Sequence, residues 1–297
     1  MTGALHELAP AKVNLCLYLG PARESDGRHE LVTVFQPVGL ADRVSLAPAG
    51  FGERCDAVIC PGLPGAPADN LAAIALRVFR DRAGWDGPPV RVHIDKRIPV
   101  AAGMAGGSAD AGATLRLAAR AAGVDDDELL YAIAAEIGAD VPAQVRPARY
   151  LATGIGERLV AAGEPADFGI LVLPARAALA TGDVFRQAER MGLARSPAAL
   201  RDKLHAVQAT ASDLSGELVV NDLEPAARAL CPAIDLALDD ARRAGAHHAL
   251  VCGSGPTVVG LFDSRESARA GATMLADREP LAIATAPWRA VSGRAAA

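Results

Sequence analysis

The fold of this chain is decided by the stretch Pro99-Val100-Ala101-Ala102-Gly103-Met104-Ala105-Gly106-Gly107-Ser108-Ala109-Asp110. It leads into an alanine-rich segment that runs to about Ala122 and stops at Gly123, which predicts a helix. The glycines let backbone N–H groups approach an anion closely, and the helix start adds unpaired N–H groups and the positive end of the dipole. The spacing matches neither G-x-x-x-x-G-K-[ST] nor G-x-G-x-x-G. On glycine content alone, a phosphate loop and a flexible connection into a closely packed helix both fit.

Strand patterns precede this loop. Residues 11–19 alternate between apolar and polar, as does the run 29–35, and the turn signal Asp26-Gly27 lies between them, so the two runs predict a hairpin. Period two puts Lys12 and Asn14 on one face. Short apolar runs predict further strands at 44–46, 57–59 and 90–94. Asp69-Asn70 can cap a helix, which is expected over 71–82.

Later in the sequence than this loop, Asp125-x-x-Glu128 matches a capping box for a helix over 126–137, and Asp140 follows that helix. The stretch 161–167, rich in Pro, Gly, Ala and Glu, predicts a domain boundary before a new apolar strand at 168–173. Later patterns predict helices at 182–190, 197–208, 232–243 and 264–276, with a strand, turn and strand over 248–262. Mixed α and β content in two domains is expected.

Composition narrows the function classes. The chain has 297 residues, with 30 Lys and Arg against 35 Asp and Glu, a net charge of −5. No global positive field therefore favours nucleic acid or anionic membrane. Although 51% of residues are hydrophobic, no apolar stretch reaches the roughly 18 residues of a spanning helix. The first ten residues lack the pattern of a secretory signal, and five scattered cysteines predict neither a disulfide framework nor a zinc site. A cytoplasmic protein is expected.

Several side chains are candidates for chemistry, each with a plainer alternative. Lys12 is either a catalytic cation or a solvated strand residue, and Asp140 is either a catalytic carboxylate or the N-cap of a helix that begins near Val141-Pro142. His29 is either a base or an ordinary hydrogen-bonded histidine. The adjacent pair His247-His248 is expected to point to opposite strand faces, against a shared metal. Gly253-Ser254-Gly255-Pro256 is either a hairpin turn or a backbone that approaches a ligand.

Taken in order, three segments resemble the motifs of the GHMP kinases, the family of galactose, homoserine, mevalonate and phosphomevalonate kinases: 10–15, 99–109 and 252–257. Five further stretches resemble the branch of that superfamily that acts on a cytidine diphosphate-linked methylerythritol. They are Asp26-Gly27-Arg28-His29-Glu30-Leu31, Thr33-Val34-Phe35-Gln36, Asp95-Lys96-Arg97-Ile98-Pro99, Gly138-Ala139-Asp140-Val141-Pro142 and Asn221-Asp222-Leu223-Glu224. The resemblance covers about residues 8 to 276. It implies an α+β fold, with an ATP-binding domain like domain 2 of ribosomal protein S5 over 1–160 and a ferredoxin-like substrate domain over 161–297.

The resemblance also implies an activity: ATP-dependent phosphorylation of the 2-hydroxyl of 4-diphosphocytidyl-2-C-methyl-D-erythritol in non-mevalonate isoprenoid precursor synthesis. Asp140 matches the family's base and Lys12 the cation beside it. Mg²⁺ is expected with ATP, with the hydroxyl of Ser108 as a candidate ligand. The ATP phosphates would be wrapped by Pro99, Val100, Ala101, Ala102, Gly103, Met104, Ala105, Gly106, Gly107, Ser108 and Ala109, and the cytidylated substrate would be contacted by Asn14, Arg28, His29, Thr181 and Phe185.

Some positions depart from the family's pattern. Arg28 stands where an aromatic residue usually stacks on the cytosine, and a planar guanidinium can also stack on a base. Other departures are Ala109, Ala143-Gln144 and Pro147. Two alternatives are therefore another small-molecule GHMP kinase, of the homoserine or mevalonate type, and a non-catalytic nucleotide-binding relative. A monomer or homodimer with a small-molecule substrate, and no nucleic acid or membrane partner, is expected.

Overall fold

The computed structural model describes residues 3–62, 69–164, 166–175, 177–211 and 216–289. The part before residue 162 contains the strands β1 (Leu5–Ala22), β2 (His29–Pro48), β3 (Ala57–Ile59), β4 (Val90–Asp95), β5 (Tyr150–Gly154) and β6 (Arg158–Ala161). Its helices are α1 (Leu71–Ala83), α2 (Gly106–Ala122) and α3 (Asp127–Ile137), followed by a 3-10 turn at Pro142–Gln144. The later part contains the helices α4 (Thr181–Arg190), α5 (Pro197–Thr210), α6 (Glu224–Leu230), α7 (Ala233–Arg243) and α8 (Arg265–Met274), a 3-10 turn at Gly216–Leu218, and the strands β7 (Gly169–Leu173), β8 (His248–Val251), β9 (Val258–Phe262) and β10 (Ile283–Thr285).

The predicted hairpin is present and is longer than the alternating pattern indicates. β1 pairs antiparallel with β2 from Leu5 opposite Leu46 to Ala22 opposite His29, and β2 includes the predicted strand at 44–46. The register shifts three times, between Pro10 and Lys12, between Asn14 and Cys16, and between Leu19 and Ala22. The first and last of these shifts lie at the two ends of the alternating run 11–19, so the sequence pattern marks only the part of β1 between them.

The first sheet has the order β3-β4-β2-β5-β6, with β1 also paired to β2. Its pairs are antiparallel except β3 with β4. Helices α1 and α2 contact each other and α3, and α2 packs on β1 and β2. The core between them is formed by fully buried apolar side chains, among them Tyr18, Leu46, Phe79, Leu115 and Ile133. This packing holds the N-terminal end of α2 beside the middle of the hairpin.

The second sheet has the order β10-β7-β9-β8, and all its pairs are antiparallel. Helices α7 and α8 pack on it. The last strand of the first sheet ends at Ala161 and the first strand of the second begins at Gly169, while Pro165 of the predicted linker lies outside the described residues. A division into domains at 160/161 stays a prediction. Within the described ranges, no helix is long and apolar enough to cross a membrane.

Two local predictions are wrong. Helix α3 is capped by Asp126, whose side chain accepts a hydrogen bond from the N–H of Leu129 at 2.9 Å, and not by a capping box that begins at Asp125. The rings of His247 and His248 do not diverge, because their centroids lie 5.1 Å apart in an edge-to-face contact. Strand β8 begins only at His248, so the alternation expected within a strand does not apply to His247.

A buried cluster of charges ties the start of the glycine-rich loop to the sheet. The ammonium group of Lys96 donates to Oδ2 of Asp42 and, at 2.8 Å, to Oδ2 of Asp110 in α2. Asp42 is fully buried, and its other oxygen accepts from the backbone N–H groups of Arg97 and Ile98. Three donors therefore stabilise the Asp42 carboxylate and fix the backbone that enters the loop.

Asp110 is less well compensated than Asp42. It is 2% exposed, and its Oδ1 is buried with no hydrogen-bond donor among the described residues. Burial raises the pKa of the Asp110 carboxyl to about 7; the Lys96 ammonium opposes this shift and the Asp42 carboxylate adds to it. The protonated form of Asp110 is thus favoured by the fold.

This imbalance predicts a pH dependence of stability. Between the ordinary aspartate pKa of about 4 and the folded value of about 7, the folded protein holds a proton that the unfolded chain releases. The free energy of unfolding therefore falls as pH rises through this window. From pH 5 to pH 8 the wild type should lose about 2 kcal/mol more than Asp110→Asn, measured by urea denaturation. Asp127→Asn, which removes an exposed carboxylate, is the control and should keep the wild-type difference; an equal loss in wild type and Asp110→Asn would contradict the assignment.

Candidate active site

Lys12 and Asp140 converge, although they are far apart in the sequence. The Lys12 Nζ lies 3.7 Å from Oδ2 of Asp140, and the two side chains are 7% and 36% exposed. Lys12 lies within β1, and Asp140 lies in the turn between α3 and the 3-10 turn Pro142–Gln144. The alternative of Asp140 as an N-cap is wrong, because Val141 occupies that position and no side chain caps the turn. The carboxylate is free to face the cleft.

The ammonium group of Lys12 is held by residues of both hairpin strands. It donates to Oδ1 of Asn14 at 2.7 Å and lies 4.8 Å from the centroid of the Phe35 ring. The amide of Asn14 donates to Oγ1 of Thr33 at 2.8 Å, and that hydroxyl donates to the carbonyl of Cys16. The predicted common face of Lys12 and Asn14 is confirmed by their contact. Lys12 is therefore not a solvated strand residue.

Thr33 and Phe35 were not among the predicted site residues. Phe35 pairs directly with Asn14 in the hairpin register, so knowledge of that register would have revealed it. Two register shifts lie between the hairpin connection and this pair, so simple alternation does not predict the pairing.

The glycine-rich loop approaches the second half of the chain closely. Gly103 has φ +70°, and a Cβ on it would lie 2.4 Å from the carbonyl oxygen of Cys252. Ala101 and Ala105 also have positive φ, both at 55°, which is an unfavourable conformation for residues with a Cβ. The loop is therefore a specific, strained structure and not a flexible connection.

The helix that follows the loop begins in an unusual way. α2 starts at Gly106, and its N-cap residue, Ala105, is left-handed and makes no side-chain hydrogen bond. The N–H groups of Gly106, Gly107 and Ser108 belong to the first turn and have no intrahelical acceptor. Gly106, Gly107 and Ser108 all line the cleft, so the open end of α2 offers an anion both N–H donors and the positive end of the helix dipole.

A second glycine turn, Gly253-Ser254-Gly255, packs against the glycine-rich loop. A Cβ on Gly253 would lie 3.1 Å from the carbonyl oxygen of Gly103 and 3.3 Å from Oδ1 of Asn14. The turn is held by Asn221, whose buried amide donates to the carbonyls of Val251 at 2.8 Å and Gly253 at 2.7 Å. This turn is thus both a connection between β8 and β9 and a wall of the site. Sequence reasoning assigned no role to Asn221, since nothing local indicates which carbonyls its amide meets.

Most of the predicted site residues line one cleft of about 650 Å³. They are Lys12, Asn14, residues 99–108, Asp140, Thr181 and Phe185. Three predicted residues do not line it. Ala109 is fully buried, His29 is 6% exposed and lies behind the cleft, and Arg28 is in the exposed connection between β1 and β2. Side chains that line the cleft but were not predicted include Phe35, Asn70, Leu71, Lys96 and Asp110.

The side chains of the cleft suit an anion better than a resident metal ion. Within the described ranges, no group of three or more His, Cys, Asp or Glu residues could hold a metal ion. Ser108 places a hydroxyl at the open end of α2 in the cleft. A single hydroxyl fits a cation that keeps most of its waters and is bound chiefly through substrate phosphates.

Family models match both halves of the chain. The model described as the GHMP kinases N terminal domain matches residues 70–147, and the GHMP kinases C terminal model matches residues 200–280. Two relatives, each called 4-diphosphocytidyl-2-C-methyl-D-erythritol kinase, come from Kineococcus radiotolerans and an Anaeromyxobacter species. The first is 42% identical over 92% of this chain and 85% of its own length. The second is 38% identical over 96% of this chain and 95% of its own length.

Solved structures agree with these matches. A crystal structure of 4-(cytidine 5'-diphospho)-2C-methyl-D-erythritol kinase is 31% identical, with a TM-score of 0.77 over 96% of this chain and 100% of that chain. A homoserine kinase from Cytophaga hutchinsonii has a TM-score of 0.69 over 97% of this chain and 95% of that chain, at 17% identity, and shares the fold alone. The predicted α+β GHMP kinase fold is confirmed, and the chain belongs to the GHMP kinase family.

Proposed function

We propose that the protein phosphorylates the 2-hydroxyl of 4-diphosphocytidyl-2-C-methyl-D-erythritol with ATP, a step of non-mevalonate isoprenoid precursor synthesis. The observation that carries the proposal is the contact of Lys12 with Asp140 in the cleft that also contains the open N-terminal end of α2. The names of relatives at about 40% identity support the substrate.

Asp140 is the group that accepts the hydroxyl proton in this proposal. As the alcohol oxygen forms a bond to the γ-phosphorus of ATP, the bond from that phosphorus to the β–γ bridging oxygen breaks, and its electron pair leaves with ADP. The proton passes from the alcohol to Asp140. The separation of 3.7 Å between Lys12 Nζ and Asp140 Oδ2 leaves both groups able to contact one oxygen of the substrate. The ammonium group stabilises the negative oxygens that form during the transfer.

The open end of α2 binds the phosphates in this scheme. The first-turn N–H groups of Gly106, Gly107 and Ser108 donate to the phosphate oxygens, and Gly103 allows the loop to pack against the second glycine turn. Mg²⁺, held by the Ser108 hydroxyl and the phosphates, would neutralise charge on the β- and γ-oxygens.

The cytidine diphosphate part of the substrate is assigned to the side of the cleft that α4 forms. Thr181 and Phe185 are on α4 and line the cleft, and the Phe185 ring lies 5.8 Å from the ring of His29. Asn14 also lines the cleft, and Arg28 lies directly before His29 in the exposed connection. We assign Asn14, Thr181 and Phe185 to direct contact with the substrate, and Arg28 and His29, which do not line the cleft, to its surroundings. A cytoplasmic location and a monomeric or homodimeric state stay predictions.

Substrate choice tests the proposed function directly. With Mg·ATP, kcat/KM for 4-diphosphocytidyl-2-C-methyl-D-erythritol should exceed that for homoserine or mevalonate by at least about 100-fold, because only the cytidylated alcohol uses the Phe185 end of the cleft. ADP release in a coupled assay measures all three rates. Preference for another alcohol would reject the substrate, and absence of any turnover would favour a non-catalytic nucleotide-binding protein.

Asp140→Asn tests the base. The amide keeps the size of the carboxylate but cannot accept the proton, so kcat should fall about 10²- to 10⁴-fold while the affinity for ATP changes little. Steady-state kinetics and equilibrium binding of an ATP analogue measure the two effects. Asp127→Asn, another partly exposed carboxylate that pairs with an arginine, should keep the wild-type kcat. Equal rates for wild type and Asp140→Asn would remove Asp140 from the mechanism.

Gly103→Ala tests the phosphate loop. Gly103 and Gly123 have nearly the same φ, +70° and +69°, but a Cβ on Gly123 meets nothing within 4 Å. Both substitutions add backbone strain, and only Gly103→Ala also creates a clash with Cys252. Thermal unfolding should therefore show a loss of about 1 kcal/mol in Gly123→Ala, with unchanged kinetics. Gly103→Ala should lower kcat/KM for ATP by about tenfold or more. Equal kinetics in the two variants would show that the close approach at Gly103 is not needed.

A further inference from the structure

His29 is buried at the start of β2 and contacts an acceptor through each ring nitrogen. Its Nδ1 lies 2.7 Å from the carbonyl oxygen of Gly20, and its Nε2 lies 3.0 Å from Oε1 of Glu189. The His29 side chain is 5% exposed and the Glu189 side chain is 51% exposed. The contact therefore has a buried end on β2 and a solvent-facing end on α4.

The chemistry of the acceptors limits the forms of His29 that can make both contacts. A carbonyl oxygen only accepts, so Nδ1 carries a hydrogen and donates it to Gly20. An ionised carboxylate also only accepts, so Nε2 donates to Glu189 when it carries a hydrogen as well. With hydrogens on both nitrogens, the ring donates to the Gly20 carbonyl and to the Glu189 carboxylate, and these two acceptors hold it in one orientation.

Glu189 belongs to a stripe along α4. Thr181, Phe185 and Glu189 are four residues apart and lie on one face of the helix. Oγ1 of Thr181 lies 3.0 Å from Oγ of Ser254 in the second glycine turn, Phe185 lines the cleft, and Glu189 reaches His29. The rings of His29 and Phe185 lie 5.8 Å apart with 35° between their planes. The His29 ring therefore lies beside the Phe185 ring, which lines the cleft.

We propose that Glu189 is a positioning residue for recognition of the cytidine diphosphate end of the substrate: its carboxylate holds the His29 ring, and His29 sets the place of the Phe185 ring. This inference rests on the proposed function, since it assigns the Phe185 end of the cleft to that part of the substrate. Glu189 itself does not line the cleft. It acts on substrate affinity and not on the transfer of the phosphoryl group.

Two substitutions separate the position of the ring from the charge of its partner. Glu189→Ala removes the contact with Nε2. Glu189→Gln places an amide there, whose oxygen can accept from a protonated Nε2 and whose NH2 group can donate to an unprotonated one, so the ring is kept in place without a carboxylate. Asp183→Asn is the matched control, because Asp183 is a carboxylate of the same helix with a similar exposure of 54% and pairs only with Arg186 among the contacts described.

The experiment measures KM for the cytidylated substrate, kcat, KM for ATP, and the Kd of cytidine diphosphate by calorimetry. Glu189→Ala should raise KM for the substrate and the Kd of cytidine diphosphate by about three- to tenfold, the effect of one lost hydrogen bond. Its kcat and its KM for ATP should stay at the wild-type values. Glu189→Gln should recover most of the affinity, and Asp183→Asn should match the wild type.

Several results would overturn the inference. Wild-type affinity in Glu189→Ala would show that the contact does not matter for binding. A lower kcat with unchanged KM would move Glu189 to the chemical step, and a Gln variant as weak as the Ala variant would show that ring position alone is not the cause. A wild-type protein that neither binds cytidine diphosphate nor turns over the cytidylated substrate would instead reject the proposed function, whatever the variants do.

Discussion

The structure of the site depends on one buried ammonium group. Removal of a lysine side chain from water is unfavourable unless the charge is hydrogen-bonded and paired. Lys12 meets this requirement with Oδ1 of Asn14, the face of the Phe35 ring and the carboxylate of Asp140. These partners come from β1, from β2 and from the turn after α3, so the charge is compensated only when the hairpin and the helical layer are both in place. The contact of Lys12 with Asp140 therefore depends on the folded arrangement of the first half of the chain.

The second half of the chain contributes uncharged groups to the surroundings of Lys12, namely the Cys252 thiol and the backbone of the second glycine turn. The thiol of Cys252 is fully buried and lies 3.9 Å from the carbonyl oxygen of Lys12 and 3.6 Å from that of Gly103. Burial raises the pKa of this thiol, and the ammonium group of Lys12 lowers it to a smaller extent. The thiol form is thus favoured, and a neutral group packs where a thiolate would compete with Asp140 for the ammonium group of Lys12. Glycine at 103 and 253 allows the two loops to touch at this place.

Much of the site could be predicted because its motifs are local. The small residues of 99–108, the glycine turn at 253–255 and the position of Asp140 behind α3 are visible in the sequence, and all of them lie in or beside the cleft. Seven of the eight helices described were predicted for the same reason, since their periodicity and capping residues are local signals, but the short helix α6 was missed. The length of the hairpin was not predicted, because register shifts lie at both ends of the alternating run in β1.

The features of the site that could not be predicted depend on contacts between residues that are distant in the sequence. The amide of Asn221 meets carbonyls some thirty positions later, and Lys96 joins two carboxylates, of which Asp42 lies 54 positions before it. No periodicity encodes such pairs. Both sets of contacts hold loops whose backbone conformations are unfavourable on their own. Asn221 fixes a turn in which Gly253 has φ +56°. Asp42 fixes the entry to a loop in which Ala101 and Ala105 have φ +55°. Buried polar groups from both halves of the chain thus hold the strained glycine-rich loop and the glycine turn that packs against it. Because those groups are directional, they position the open end of α2 more precisely than apolar packing alone would.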